Sequence, residues 1–138
     1  MGEREMNRRT MLGSGAAMLA GASLFPVAAK AAQEEGETCA DGCGTCVGSC
    51  MACVAACLEE EGRAECIRLC LDCADICAAC TNVSARGGPM AKAIMKLCAD
   101  ACDMCADECE KHADDTACKA CAEHCRACAK ECREGAAN

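Results

Sequence analysis

Between residues 39 and 132 the apolar positions recur at alternating steps of three and four residues, and cysteine fills them. The stripes are Cys39, Cys43, Cys46, Cys50, Cys53 and Cys57; then Cys66, Cys70, Cys73, Cys77 and Cys80; then Cys98, Cys102, Cys105 and Cys109; then Cys118, Cys121, Cys125, Cys128 and Cys132. A repeat averaging about 3.5 residues is the inward seam of a helix packed in a bundle. Four stripes therefore predict an all-α chain, an up-down-up-down four-helix bundle whose core is lined with all 20 cysteines.

The residues between stripes set the expected boundaries. Thr38 with Asp41 three residues on can form a capping box, which opens a first helix over 38–61. Gly42, Gly44 and Gly48 weaken that helix by about 1 kcal/mol each relative to Ala, so its start either frays as far as Cys46 or orders on binding metal. Gly62 is the break before the second stripe and predicts a tight antiparallel hairpin. A second helix is expected over 63–85, ended by Arg86-Gly87-Gly88-Pro89. The third follows with Pro89 in its first turn and runs to His112; the fourth starts at a cap from Asp114 or Asp115 and runs to 134. One seam of this length rises about 27 Å with thiols roughly 5 Å apart. Facing seams then stack the sulfurs in about five layers of roughly four, a tube lined with thiols.

The first residues read differently. Arg4, Arg8 and Arg9 precede an apolar run from Met11 to Ala28, and Ala29-Lys30-Ala31 offers small residues for cleavage. Asn7-Arg8-Arg9-Thr10-Met11-Leu12 resembles a twin-arginine signal. Residues 1–31 are thus expected to be an export signal, 32–37 an acidic leader and 38–135 the bundle, with export to the periplasm and no membrane span in the mature form. After Ala31 there remain 10 basic and 20 acidic residues, a net charge of −10, which disfavours nucleic acid and anionic membranes as partners. That part contains no Trp, Tyr or Phe, ten Leu, Ile and Val, and four Met. Burying a large aliphatic side chain contributes about 1.5–3 kcal/mol, whereas ordering each residue's backbone costs about 1–2 kcal/mol. The contents of the sulfur seam must supply much of the cohesion.

Several chemistries use thiols at this density. A disulfide scaffold suits an even cysteine count in an exported chain, but cross-linking does not require cysteine at every seam position of every helix. Zinc would make five Cys₄ sites from the 20 cysteines. Each carries a net charge of −2, and the seam offers no Lys or Arg to offset it. Iron–sulfur ligation lacks its characteristic run of cysteines ending in Pro. A thiol–disulfide oxidoreductase would use C-x-x-C, yet those enzymes place one low-pKa pair in a βαβ setting, and no strands are visible. Cu(I) is soft and monovalent, and one ion per thiolate is neutral. Charge balance favours it, with zinc–thiolate binding and thiol–disulfide redox chemistry as the alternatives.

Met95 to Cys132, including Lys96-Leu97-Cys98-Ala99-Asp100-Ala101-Cys102, Cys105-Ala106-Asp107-Glu108-Cys109-Glu110-Lys111-His112 and Cys118-Lys119-Ala120-Cys121-Ala122-Glu123-His124-Cys125, resembles the bacterial copper storage proteins. The resemblance is closest in the third and fourth helices and extends by pattern over the mature chain. It implies storage of many Cu(I) ions within the bundle rather than catalysis, a homotetramer, and membership of an exported, twin-arginine subset. The expected metal ligands are the 20 cysteines together with Met95 and His112, which continue the third seam by one step of three at either end; the alternative for Met95 is core packing, and for His112 a helix C-terminal residue favoured by the dipole. They are expected to flank the two mouths of the tube, His112 near Cys57, Cys66 and Cys118, and Met95 near Cys39, Cys80 and Cys132. His124 falls off the seam and is expected at the surface. Met51 and Met104 adjoin seam cysteines and are read as flank packing, whereas Met90, beside Pro89, is read as a weak contributor at the Met95 mouth.

Overall fold

The computed structural model describes residues 38–138. The expected signal and leader, 1–37, lie outside the described residues. Four helices follow in order, α1 (Cys39–Cys57), α2 (Ala64–Ala85), α3 (Ala91–Glu110) and α4 (Thr116–Ala137), and the described residues contain no strand. Each helix packs on two neighbours in the cyclic order α1, α2, α3, α4, the antiparallel bundle that short connections dictate.

The ends show why the helices form where they do. Thr38 is extended, and its hydroxyl accepts the Asp41 N–H at 3.3 Å while the Asp41 carboxylate accepts the Thr38 N–H at 3.2 Å. This reciprocal box makes α1 regular from Cys39, so the frayed start to Cys46 is not what forms. At its other end α1 stops at Cys57, short of the expected 61. Three consecutive glutamates, Glu59 to Glu61, would meet the negative end of the helix dipole there. The chain instead turns, and Gly62 takes a positive φ of 75°, which only glycine adopts without strain. Gly87 does the same after α2 with φ 61°.

α3 begins at Ala91 rather than at Pro89 and ends at Glu110 rather than His112. His112 sits in the following turn, its N–H donating to the Cys109 carbonyl at 3.0 Å. Of the two possible caps for α4, Asp115 is the one used, accepting the N–H groups of Ala117 at 2.8 Å and Cys118 at 3.3 Å. α4 runs past the expected 134 to Ala137.

The core is sulfur flanked by small residues. Nineteen of the cysteines have no exposed surface and Cys39 retains 8%. Ala74, Ala99, Ala106, Ala122 and Ala129 fill the gaps, and Val54 is the one branched aliphatic side chain buried with them. Alanine beside cysteine lets the backbones approach closely enough for thiols on different helices to touch. By length and composition α1 could cross a membrane, but its apolar stripe is the one buried in the bundle, so the hydropathy is that of a core helix.

Candidate metal centre

The antiparallel seams bring thiols from all four helices together along the axis. At one end Cys39 lies 3.7 Å from Cys80 and 3.8 Å from Cys43, with Cys132 also in contact. In the middle Cys46 lies 3.4 Å from Cys125, 3.8 Å from Cys73 and 3.9 Å from Cys102. At the far end Cys57 lies 3.6 Å from both Cys66 and Cys118, and Cys53 lies 3.4 Å from Cys118. All 20 thiols are free.

Groups of four sulfurs within 4.8 Å of one another follow the axis, and successive groups overlap. Cys39, Cys43, Cys80 and Cys132 form the first. Cys43 is shared with the next, which adds Cys77, Cys98 and Cys128; Cys77 and Cys128 are shared in turn with Cys46 and Cys102. Cys46 then joins Cys50, Cys73 and Cys125, and Cys50 and Cys125 join Cys105 and Cys121. Zn²⁺ in a structural site takes four thiolates of its own, so zinc in one group would deprive the next. A monovalent ion that shares bridging thiolates can occupy a continuous column.

Burial sets the protonation of the thiols at the ends of the tube. The Cys39 thiol is pushed up to about 11, chiefly by desolvation, and desolvation is likewise the largest cause raising Cys66, Cys80 and Cys118. In the middle, Cys46 and Cys73 lie below the ordinary thiol range, the hydrogen bond with Cys102 being the largest cause for each. The end thiols are thus held neutral at pH 7, and each gives up its proton as metal binds.

The two expected flanking residues have different settings. Met95 is half-buried and lines a cavity of about 400 Å³ with Cys39, Ser84, Glu131, Glu134 and Gly135, among others. His112 is half-buried, and its Nε2 lies 3.4 Å from Glu108 Oε1 without the alignment of a hydrogen bond. Lys111 engages the other oxygen of Glu108 at 2.6 Å. His124 is exposed as expected and hydrogen-bonds Ser49 Oγ through Nδ1 at 2.5 Å. Met51, Met90 and Met104 are all exposed.

Sequence reasoning missed Arg63, whose Nη1 donates to Cys118 Sγ at 3.6 Å. It also missed Gly135, where a Cβ would sit 3.0 Å from Met95 Sδ. The signal was available, since one further step along the alternating period from Cys66 lands on Arg63 and one from Cys132 lands on Gly135.

A family model described as copper storage protein matches residues 32–137. The chain belongs to the copper storage protein family. Solved relatives agree. Apo copper storage protein 3 from Bacillus subtilis is 43% identical with a TM-score of 0.68, the match covering 71% of this chain and 95% of that one. Its Cu(I)-bound form is 42% identical with a TM-score of 0.66, covering 71% and 94%. A cytosolic copper storage protein from Streptomyces lividans, holding five coppers, is 38% identical with a TM-score of 0.69, covering 72% and 90%. No curated protein matches the chain.

These relatives correct one expectation. Export to the periplasm was read from residues 1–31, whereas the Streptomyces lividans relative is described as cytosolic. The thiol bundle is therefore not a mark of export, and the relatives point away from the periplasm. The physical reason is that Cu(I) is held by reduced thiols, which a reducing compartment maintains.

Proposed function

We propose that this chain stores Cu(I) as a column of ions inside the bundle, with Cys39, Cys43, Cys46, Cys50, Cys53, Cys57, Cys66, Cys70, Cys73, Cys77, Cys80, Cys98, Cys102, Cys105, Cys109, Cys118, Cys121, Cys125, Cys128 and Cys132 as thiolate ligands. Met95 supplies a thioether at one end and His112 an imidazole at the other. The observation that carries this reading is the sharing of sulfurs between successive four-thiol groups. It suits many soft monovalent ions better than isolated divalent ones. The role is storage rather than catalysis: nineteen of the thiols have no exposed surface, which suits held ions better than a substrate that must come and go. The copper storage proteins it resembles hold multiple ions, and the Streptomyces lividans relative was loaded with 10 copper equivalents.

Anaerobic titration of the reduced protein with Cu(I), against a competing chelator, tests this. Uptake of at least the 10 equivalents loaded into that relative is expected, and single seam Cys→Ser changes should lower capacity additively. Saturation at one or two ions, or loss of free thiols without metal uptake, rejects storage in favour of a discrete zinc-type site or redox chemistry.

The chain also forms a homotetramer in this reading. A shallow groove between α2 and α3, lined by Leu69, Ile76, Leu97 and Met104, supports that association, since Leu97 and Met104 are exposed in the single chain.

A further inference from the structure

One pair of thiols stands apart from the rest of the tube. Cys39 Sγ lies 2.7 Å from Cys132 Sγ, whereas Cys80 and Cys43 lie 3.7 and 3.8 Å from it. Thiol contacts farther along the axis span 3.4–4.0 Å. Cys39 is also the one cysteine with any exposed surface. A thiol that solvent reaches, touching a second thiol buried behind it, is the arrangement that thiol–disulfide exchange requires, one sulfur to attack and one to resolve.

The surroundings select the reagent. Cys39 borders the cavity of about 400 Å³, whose lining includes the carboxylates of Glu131 and Glu134 and, among the described residues, no Lys or Arg. That space admits a small molecule, and its charge favours a cationic one over an anionic one. Cys132 has no exposed surface, so it reacts second. Burial holds Cys39 neutral at pH 7, which makes its attack slow. What singles out this pair is that Cys132 already touches the sulfur it must resolve.

We infer that Cys39 and Cys132 are a site of oxidative modification in the copper-free chain, where a small cationic disulfide converts the pair to an intramolecular disulfide. Cys39 Sγ attacks one sulfur of the reagent; the reagent's S–S bond breaks, and its other half leaves as a thiol with the Cys39 proton. Cys132 Sγ then attacks Cys39 Sγ and expels the second half with the Cys132 proton. One small disulfide is reduced to two thiols, and the cysteine pair gives up two electrons. The new bond ties the first turn of α1 to α4 across 93 residues of chain, a long loop whose closure restricts the unfolded state. It also withdraws two ligands from the group Cys39, Cys43, Cys80 and Cys132. Copper held in that group shields the same two sulfurs, and in that respect the inference rests on the storage reading.

The test uses the full chain, reduced, metal-free and anaerobic, with cystamine as the cationic probe and glutathione disulfide as the anionic one. After cystamine treatment and alkylation of the remaining thiols, tandem mass spectrometry of non-reduced peptides should find Cys39 joined to Cys132, and dithiothreitol should restore both thiols. The oxidised chain should melt about 10 °C higher and bind about two fewer Cu(I) ions. Glutathione disulfide should react about tenfold more slowly. Cys132→Ser should accumulate the mixed disulfide of Cys39 with cysteamine, while the wild-type peptide map stands however well that variant folds. A different principal pair, thiol loss spread along the tube, or no loss at all would overturn the site. Equal rates with the two disulfides would overturn its preference for a cation. Chain preloaded with Cu(I) should keep the pair reduced, and cross-linking at the metal-free rate would overturn the competition. Uptake of only one or two Cu(I) ions by the reduced chain would sink the storage reading and leave the cross-link standing, so the two failures are told apart.

Discussion

Cysteine does two things at a seam position that leucine cannot. Its side chain is short enough to place sulfurs from facing helices within 3.4–4.0 Å of one another, and it releases a proton to become a soft anionic ligand. The cost is cohesion, because a thiol buries less apolar surface than Leu or Ile. Helix propensity therefore matters more than usual in α1. Gly44 and Gly48 are exposed, with open space where a Cβ would point. Gly44→Ala and Gly48→Ala should each stabilise the metal-free protein by about 1 kcal/mol, read as a rise in Tm; an unchanged or lower Tm would show that these positions face a surface the single chain lacks. Gly42→Ala should gain less, because its Cβ would collide with the Glu131 carboxylate. At this scale the sequence was informative wherever a local rule applies. Thr38 with Asp41, and Asp115, cap as their spacing implies. The residual exposure of Cys39 was not legible, since it depends on what the other three helices leave uncovered.

The helices themselves were legible because a 3.5-residue period belongs to a single helix. Their ends were less so. α1 stops at Cys57, ahead of three glutamates, and α3 stops before His112, which moves that imidazole off a helical seam into a turn. Pairing between helices was also out of reach. On the outer surface Arg126 bridges Asp103 at 3.1 Å, Asp107 at 2.5 Å and Glu110 at 3.0 Å, and Arg133 also engages Asp103. Sequence shows those carboxylates on one face of α3 but not that α4 supplies the arginines. Such exposed pairs contribute little stability each; their effect is on which helix neighbours which. The groove between α2 and α3 gives this scale its prediction. Leu97→Glu with Met104→Glu should convert a tetramer to a smaller species in size-exclusion chromatography with light scattering. A mass unchanged from wild type would place the interface on another face.

For the molecule as a whole, protons and copper compete for the same sulfurs, and pH reads out the balance. The Cys39 thiol moves from an ordinary value of 9.0 to about 11 in the folded chain through burial, and Cys66, Cys80 and Cys118 move the same way. Between those values the folded chain holds protons that the unfolded chain has released. Their contribution to stability is thus complete below about pH 9 and is lost as pH rises through about 11. Thiols such as Cys46 and Cys73, shifted downward, are already ionised in both states there and add no alkaline slope. Reduced metal-free protein should therefore lose Tm over this interval. Copper-loaded protein, with no thiol protons left to lose, should not, and should melt higher throughout because the preassembled four-sulfur groups hold the ions more tightly than the thiols of an unfolded chain. A parallel loss of Tm in both forms would contradict thiolate ligation of the stored ion.

The sequence by itself determined the number of helices, the sulfur lining and, through charge balance, the preference for a monovalent soft metal. All of these follow from the spacing of one residue type along single helices. It also named Met95 and His112, one step beyond either end of the third seam, but not Arg63 or Gly135, which finish the second and fourth. Tertiary structure decided that successive sulfur groups share their members, that Cys39 keeps a little exposed surface beside a cavity, and that Arg63 lies across Cys118. Those outcomes depend on the relative register of four seams, and register is set by where each helix stops and how each turn closes, which no period within one helix encodes.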